Sequence, residues 1–460
     1  MAIRRKDADM TQGSIWKHLI TFAIPMAIGL IFQQLYNTVD AVVVGNFVGE
    51  AALAAVGSTS SIINMLVGLS AGLSTGASVV ISQLYGAHEN ERLREAVHTT
   101  IAVTFILCAI ATCVGILLVD PMLHMMQTPD NVFPEAKLYL TIYFGGITGL
   151  LVYNMGSAIL RAVGDSRRPL YFLIFSAVTN TILDILFVVV FKMGVAGVGL
   201  ATVLAQMGSA SLVLYALSHD NAAYGIRWKQ IRINVGILKQ FFNIGLPSGI
   251  QQGLTSFSNV FVQSYINAFG SAVMAGWSAH NKLDAFVSAI AQSVSMASTT
   301  FVGQNYGAKD IPRARKGVKS AVILSICATM SMSALVMILA PTLISFFSPE
   351  AEVIAHGVKF INICTPFYVF LCLNQIQAGA LRGTGNAKRP MFVMLFSFVL
   401  FRQMYLFTIS RLIPNNMAVV AMGYPMGWMM ATTLLYLCYR KSPLGKHGTQ
   451  EKQRKNTAAA

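Results

Sequence analysis

Residues 160–169 read LRAVGDSRRP, and residues 381–390 read LRGTGNAKRP. A second pair keeps the same spacing of 221 residues, because QLYGA at 83–87 returns as QNYGA at 304–308. Two matches at one offset indicate that the chain is a tandem duplication. Internal repeats of whole hydrophobic units are typical of secondary transporters.

The composition indicates that both repeats lie in a membrane. Apolar residues make up 55% of the chain and charged residues 11%, against roughly a quarter charged in soluble domains. The pattern predicts an all-α polytopic membrane protein with twelve transmembrane helices in two pseudo-symmetric six-helix lobes. Crossing a bilayer takes about 20 apolar residues, which places the spans near 15–45, 52–82, 93–119, 133–157, 168–191, 195–217, 237–266, 274–303, 315–340, 354–378, 390–410 and 416–440.

The distribution of basic residues predicts the orientation. Loops on the side of both termini hold 27 of the 33 Lys and Arg. The positive-inside rule then makes both termini cytoplasmic, in a multi-pass protein of the inner (plasma) membrane. The net charge of +15 is accounted for by anionic inner-leaflet lipid, so no nucleic-acid partner is expected. The predicted parts are a cytoplasmic N-terminal segment (1–14), a six-helix lobe (15–217), a cytoplasmic linker (218–236), a second lobe (237–440) and a cytoplasmic tail (441–460).

The absence of certain sequence motifs limits the classes of function that the chain can have. The sequence has no GxxxxGK[ST] phosphate loop and no HExxH motif, and its longest internal loop, about Ser218–Gly236, is too short for a nucleotide-binding domain. We therefore expect no enzymatic activity and no cofactor, and any uphill transport must use an ion gradient. Three other classes are weighed: a flippase for lipid-linked or polar metabolites, an intramembrane enzyme using His280 with Asp284, and a scaffold without transport.

Three acidic residues fall within the predicted spans, at Asp40, Asp184 and Asp284. An ionisable group at that depth costs a few kcal/mol or more, so each is a functional hypothesis by default. Asp40 in span 1, Asp184 in span 5 and Thr202 in span 6 lie at similar depths, roughly 10 Å below the outer surface at 1.5 Å per residue. We expect them to converge on one site.

Neighbouring polar residues follow helical spacing on the same faces of these spans. Such stripes are typical of helices that face a cavity, although Ser, Thr and Asn also join helices to each other. The stripes are Gln33, Asn37 and Asp40 in span 1, Ser176, Asn180 and Asp184 in span 5, and Thr202, Gln206 and Ser209 in span 6.

The second repeat does not duplicate the acidic cluster. At the 221-residue offset Tyr405 replaces Asp184 and Phe401 replaces Asn180. Uncharged polar residues remain there, which suits a wet substrate cavity. The role of Asp284 stays open between an ion pair with Arg402 and a second substrate contact. The cavity candidates in this half are Gln252, Thr255 or Ser256, Asn259 and Gln263 in span 7, Asp284 in span 8, and Asn374 and Gln377 in span 10.

The chain resembles the multidrug and toxic compound extrusion (MATE) family, in its DinF-like, prokaryotic branch, over residues 10–440. The resemblance rests on the two repeated phrases together with IPMAIGLIFQQLYNTVDAVVVG in span 1 and with NTILDILF and GVAGVGLATVLAQ in spans 5 and 6. It implies two lobes around a V-shaped cleft and export of amphipathic, often cationic organic compounds in exchange for protons or sodium. The chain is expected to act as a monomer on such small molecules.

The resemblance also assigns residues. Pro25 matches a proline at which span 1 of the family bends. The acidic ligands that another branch keeps on spans 7 and 10 are absent here, so no sodium site is expected in the second lobe. The cation site of this branch maps to Asp40, Asn180, Asp184 and Thr202.

The two aspartates predict the coupling chemistry. Desolvation and mutual repulsion both favour the protonated acid, so the carboxyls should bind and release protons as a pair. A proton needs one such carboxyl, whereas a hard cation needs several oxygens in fixed geometry. Protons are therefore the expected coupling ion. Sodium remains possible, with all four site residues as its ligands.

Overall fold

A computed structural model describes residues 9–48, 50–413 and 416–445, without the side chains of residues 37, 39–46 and 50–54. The described chain is helical throughout. Its α-helices are α1 (Ile15–Phe47), α2 (Glu50–Gly86), α3 (Asn90–Met125), α4 (Phe133–Gly145), α5 (Ile147–Ala162), α6 (Arg167–Asp184), α7 (Gly194–Ser218), α8 (Val235–Asn267), α9 (Ser271–Gly307), α10 (Ile311–Ser345), α11 (Ala351–Cys364), α12 (Tyr368–Gly383), α13 (Lys388–Leu395), α14 (Arg402–Leu412), α15 (Met417–Ala421) and α16 (Gly423–Arg440).

These helices match the twelve predicted spans. Five spans are interrupted. The helices α4 and α5 meet at a 45° bend, the 3-10 turn Thr365–Phe367 joins α11 to α12, and α15 and α16 are separated at Met422. In the other two, a π-helix follows α6 and another links α13 to α14. Among the described residues, ten helices are long and apolar enough to cross a bilayer, and the bent pair makes eleven. The remaining span is α8, whose polar stripe lowers its hydropathy although its 33 residues are long enough to cross.

The repeated QxYGA phrase ends a helix in each half. After it, His88 and Lys309 adopt left-handed φ angles of 58° and 61°. In the second copy, Lys309 N donates to Tyr306 O and Asp310 N to Asn305 O. Two such bonds around a left-handed residue form a Schellman cap, which satisfies the last carbonyls of the helix. The motif is therefore a helix stop in both repeats.

In both repeats the LRxxGxxxRP phrase ends one helix, forms a turn and begins the next helix. Gly164 and Gly385 have φ angles of 91° and 88°, a conformation that favours glycine over residues with a Cβ. Asp165 Oδ1 accepts from the backbone nitrogen of Arg168, and Asn386 Oδ1 from that of Arg389. These side chains cap the next helix at its N-terminus. The duplication is thus visible in backbone geometry as well as in sequence.

The two repeats differ in what the last arginine of the phrase contacts. The Arg168 guanidinium lies 2.7 Å from Asp165 and 3.3 Å from Asp220, a carboxylate that is buried. The side chain of Arg389 is exposed, and within the described residues no ion pair includes it.

We predict that Arg168→Ala lowers folded protein in the membrane, whereas Arg389→Ala leaves it near wild type. Removing Arg168 leaves Asp220 buried with fewer donors, at a cost of about 1–3 kcal/mol. The measurement is membrane abundance and thermal stability of the two matched variants, with substrate affinity measured in parallel. A large affinity loss at normal abundance would instead assign Arg168 to substrate binding.

The compact units of the fold do not follow the sequence halves. One unit, called the N-terminal unit, comprises Ile28–Gly249, and the other, the C-terminal unit, comprises Met1–Ala27 with Ile250–Ala460. The first parts of α1 and α8 are therefore exchanged relative to the predicted lobes. Both exchanges end two residues after a proline, Pro25 in α1 and Pro247 in α8.

The start of α1 is integrated into the C-terminal unit. Leu19 and Phe22 are buried in a core with Phe301. Ahead of the helix, the backbone nitrogen of Met10 donates to Gln304 Oε1 at 2.9 Å, and the Arg313 side chain donates to the carbonyl of Met10. The second QxYGA copy thus also holds the chain that enters α1.

In the N-terminal unit, α2 and the first part of α8 cross at glycines. A Cβ on Gly72 would lie 2.1 Å from the Gly249 nitrogen, and a Cβ on Gly76 would lie 2.7 Å from the Gly245 nitrogen. Both helices therefore carry a GxxxG pair at the contact. Small residues at this spacing let membrane helices approach backbone to backbone.

Candidate functional site

The acidic site of the N-terminal unit is built around the end of α6. Asn180 and Asp184 lie one turn apart on this helix and are 2% and 1% exposed. The helix ends at Asp184, and the π-helix Ile185–Val190 begins at the next residue. Single turns of π-helix are frequent at functional sites because they change the direction in which side chains point. Here the change of helix type coincides with a buried carboxyl.

A cavity of about 70 Å³ lies beside Asn180. Its size suits water or a small cation, because pockets for drug-sized molecules have about 300–1,000 Å³. Predicted residues from all three polar stripes line it, together with residues of α2 and α5. The polar side chains around the cavity are Gln33, Tyr36, Tyr153, Asn154, Ser176, Asn180, Thr202, Gln206 and Ser209.

The cavity presents oxygen acceptors. Asn180 Nδ2 donates to Thr202 Oγ1 at 3.4 Å, and the Thr202 hydroxyl donates to Val198 O at 3.1 Å. Asn180 Oδ1 is buried and has no hydrogen-bond partner in the described structure. A buried polar atom without a partner is costly, so this oxygen is available to a bound cation or to the proton of a bound donor.

In the chain, Asp184 lies between a residue that lines the cavity and a residue of an apolar cluster. Asn180 precedes it by one turn, and Val188 follows by four residues in the π-helix. Val188 packs with Tyr139, Val195 and Val198 in a buried cluster. Along the helix the carboxyl therefore stands between a cavity-lining amide and a buried apolar cluster.

Of the three predicted site residues in α1, the structure describes the side chain of one and only the backbone of the other two. Gln33 lines the cavity and is half-buried. Asn37 and Asp40 follow it on the same helix at positions i+4 and i+7, but their side chains lie outside the described residues. The helical path places Asp40 two turns beyond Gln33 along α1. Its contact with Asp184 stays a prediction.

The candidates in the C-terminal unit fall into two groups. Asn374 is 1% exposed, and neither atom of its amide has a partner in the described structure. The α8 stripe is more open: Gln252 and Gln263 are half-buried, and Ser256 and Asn259 are exposed. The α8 stripe is therefore the more exposed of the two groups, and Asn374 belongs to the interior of the unit.

Asp284 and Arg402 do not form the ion pair considered from the sequence. Asp284 accepts hydrogen bonds from the hydroxyls of Tyr368 and Ser288. Arg402 instead donates to α8, to Ser258 and Asn259. In the part of the chain that the structure describes, no ion pair includes either residue. That alternative is wrong for this structure.

Sequence patterns did not single out several residues around the site. Asn154 on α5 and Tyr36 on α1 line the cavity, and Tyr139 on α4 packs in the apolar cluster that contains Val188. Asn154 is a polar residue within predicted span 4, and that position could have indicated it. Buried tyrosines carry no such signal, because they are common in apolar cores.

Two pseudo-symmetric sets of membrane-spanning helices, with a buried carboxyl and a polar cavity inside one unit, define a multi-pass transporter. The MatE family model matches the chain twice, over residues 25–186 and 247–408. The chain therefore belongs to the MatE family.

Individual relatives agree with this assignment. The chain is 28% identical to the probable multidrug resistance protein YpnP of Bacillus subtilis (strain 168), over 95% of this chain and 97% of that protein. It is 24% identical to the FAD transporter of Shewanella oneidensis, over 74% and 76% of the two chains. A crystal structure of MATE in complex with MaL6 superposes with a TM-score of 0.90 at 22% identity, covering 96% of this chain and 99% of the other. The fold is thus that of a MATE transporter, and the chain is a transporter rather than an enzyme.

Proposed function

We propose that this chain is a secondary active exporter of amphipathic, often cationic organic compounds, coupled to inward flow of protons by alternating access. The observation that carries the proposal is the buried carboxyl of Asp184, one helical turn from Asn180, whose unpartnered oxygen belongs to a residue that lines the polar cavity. A protein that only needed a stable helix bundle would have no reason to keep these groups in the membrane. The name of the Bacillus relative supports drug export as the task.

The coupling follows from electrostatics. When Asp184 and Asp40 are ionised, they attract a cationic substrate. A proton from outside neutralises the pair, the attraction is lost, and the substrate leaves. Return of the proton to the cytoplasm restores the charge. Each charge that crosses 100 mV contributes about 2.3 kcal/mol to the cycle.

Sodium is the second candidate for the coupling ion. Asn180 Oδ1 and the Thr202 hydroxyl fit a hard cation, which prefers oxygen ligands. Together with the two carboxylates they would supply four ligands from three helices. A proton makes a smaller demand, since one desolvated carboxyl is sufficient. We therefore favour protons.

The experiment is uptake of a fluorescent cation into everted vesicles that carry the wild-type protein, because the lumen of such vesicles corresponds to the outside of the cell. We expect robust transport with a pH gradient at equal sodium, and little with a sodium gradient at equal pH. Vesicles without the protein are the control. Transport driven by sodium alone would assign the same residues to a sodium site, and transport with neither gradient would remove ion coupling altogether.

A flippase for lipid-linked or polar metabolites is the alternative. The FAD transporter among the relatives shows that this family is not limited to cationic drugs. A lipid-linked pyrophosphate requires several cationic ligands, whereas Lys282 is exposed and packs on Phe347. Among the described residues of the spans, Arg402 is the one Arg or Lys that is buried. A single cation is too few to bind a pyrophosphate. Plasma-membrane location with both termini in the cytoplasm completes the proposal.

A further inference from the structure

The linker between α7 and α8 is fastened to α3 through its backbone. The backbone nitrogen of Arg227 donates to His98 Nε2 at 3.0 Å, and that of Asn234 donates to Thr99 Oγ1 at 3.0 Å. The Thr99 hydroxyl donates in turn to the carbonyl of Arg232 at 3.3 Å. The path of the linker is therefore fixed without the charged groups of its arginines.

An aromatic pair marks the level at which α3 enters the membrane. The helix has 36 residues, whereas about 20 are sufficient to cross the hydrocarbon core. Its exposed large apolar side chains begin at Phe105, and the ring of the half-exposed Trp228 lies 6.5 Å from the Phe105 ring. The indole nitrogen of Trp228 donates to Ser218 Oγ at 3.0 Å. Tryptophan is enriched at the boundary between hydrocarbon and headgroups, so this end of the linker lies at that boundary.

Four exposed cations lie next to this boundary. The linker contributes Arg227, Lys229 and Arg232, and Arg94 lies one turn of α3 before the histidine that binds the linker. These four residues are called the basic patch. Among the residues that the structure describes, no ion pair includes any of them.

Few carboxylates balance the basic patch. The first turns of α3 carry Glu91 and Glu95, and Glu95 Oε2 accepts from Asn234 Nδ2 at 2.9 Å. The Arg227 side chain donates to a neutral partner, Asn221 Oδ1, at 3.3 Å. Four cations beside two carboxylates leave the patch positive, and it therefore attracts anions.

The second repeat uses the equivalent arginine differently. At the 221-residue offset, Arg94 corresponds to Arg315. The Arg315 guanidinium donates to the carbonyl of Leu444 at 2.6 Å, and Leu444 follows α16 as the linker follows α7. The second repeat thus uses this arginine to hold its own chain, whereas the first repeat leaves Arg94 exposed beside the cations of the linker.

We propose that the basic patch binds the phosphate of an anionic phospholipid in the cytoplasmic leaflet, and that Trp228 and Phe105 contact its acyl chains. Lys and Arg side chains at a membrane surface attract anionic headgroups, and the aromatic pair places the patch at headgroup level. The choice of leaflet rests on the orientation given in the proposed function. The binding itself is independent of ion coupling.

The test is native mass spectrometry of the purified full-length protein in a neutral detergent. The protein is titrated with phosphatidylglycerol, with phosphatidylcholine of the same acyl chains, or with glycerol 3-phosphate, which has the phosphate but no chains. We expect the wild type to bind phosphatidylglycerol at least about tenfold more tightly than phosphatidylcholine. Glycerol 3-phosphate should not displace the bound lipid.

A triple variant removes the linker cations. Arg227→Gln, Lys229→Gln and Arg232→Gln together should weaken phosphatidylglycerol by about tenfold or more and leave phosphatidylcholine within about twofold. The linker remains attached, because its bonds to α3 use backbone atoms of these arginines. The matched control removes three exposed cations of the C-terminal unit and should leave both affinities within about twofold; it combines Lys316→Gln, Lys319→Gln and Arg389→Gln.

Arg94→Gln tests the patch from α3 without changing the linker, should the triple variant fail to fold. It should weaken phosphatidylglycerol by about threefold or more. Equal weakening by the control triple variant would reduce the effect to net charge and overturn the proposal. Equal affinity of the wild type for the two lipids, or displacement of the lipid by glycerol 3-phosphate, would overturn it as well.

Discussion

Asp184→Asn is expected to reduce gradient-driven efflux to the level of vesicles without the protein, while the variant remains folded and inserted. The amide replaces the carboxyl at nearly constant volume, but it cannot take up or release a proton. Asp184 is 1% exposed and lies one helical turn from the cavity-lining Asn180, so the substitution removes the buried carboxyl without changing its position in the helix. Efflux rates and membrane abundance are measured on the same vesicles.

Asp40→Asn should give the same loss, and the double variant should be little worse than either single one, because residues that act as a unit are not additive. Asp120→Asn is the matched control: that carboxylate pairs with Lys137 and is about half exposed, and its loss should leave efflux unchanged. Wild-type efflux in Asp184→Asn at normal abundance would exclude this residue from the coupling site.

Gly72→Ala is expected to prevent accumulation of folded protein. The added Cβ would lie 2.1 Å from the backbone nitrogen of Gly249, and no rotamer change can relieve a contact with backbone. The two helices must separate, at a cost of about 1–3 kcal/mol and occasionally more. Thermal stability and monodispersity after detergent extraction measure the effect.

Gly57→Ala on the same helix is the control for Gly72→Ala. Nothing lies within 4 Å of a Cβ at Gly57, and alanine has a helix propensity better than glycine by about 1 kcal/mol. This variant should be as stable as the wild type or slightly more stable. Equal stability of the two variants would mean that α2 and α8 do not depend on close backbone contact.

The spans and the polar cavity were predictable because both follow from local pattern. Apolar length determines where a helix crosses, and the 3.6-residue period brings Gln33, Asn180 and Thr202 to inward faces. The caps at Gly164 and Gly385 belong to motifs that the sequence repeats, so their recurrence could also be expected.

Features that depend on tertiary contact were not predictable. The first parts of α1 and α8 carry no sequence signal that tells which unit they join. No residue pattern in the sequence marks the π-helix Phe396–Phe401 before Arg402. The contact of Arg402 with Ser258 and Asn259 joins positions more than 140 residues apart, and the nearest acidic candidate in the sequence, Asp284, suggested a different partner.

The most direct test of the central claim is proton release on substrate binding. Purified wild-type protein in weakly buffered detergent receives a saturating amount of a cationic dye near the pH at which the carboxyl pair is half protonated. We predict that the wild type releases protons and binds the dye more weakly as the pH falls, and that Asp184→Asn releases far fewer. Dye binding with unchanged affinity across pH and without proton release in the wild type would contradict the claim that substrate binding is coupled to deprotonation of this carboxyl pair.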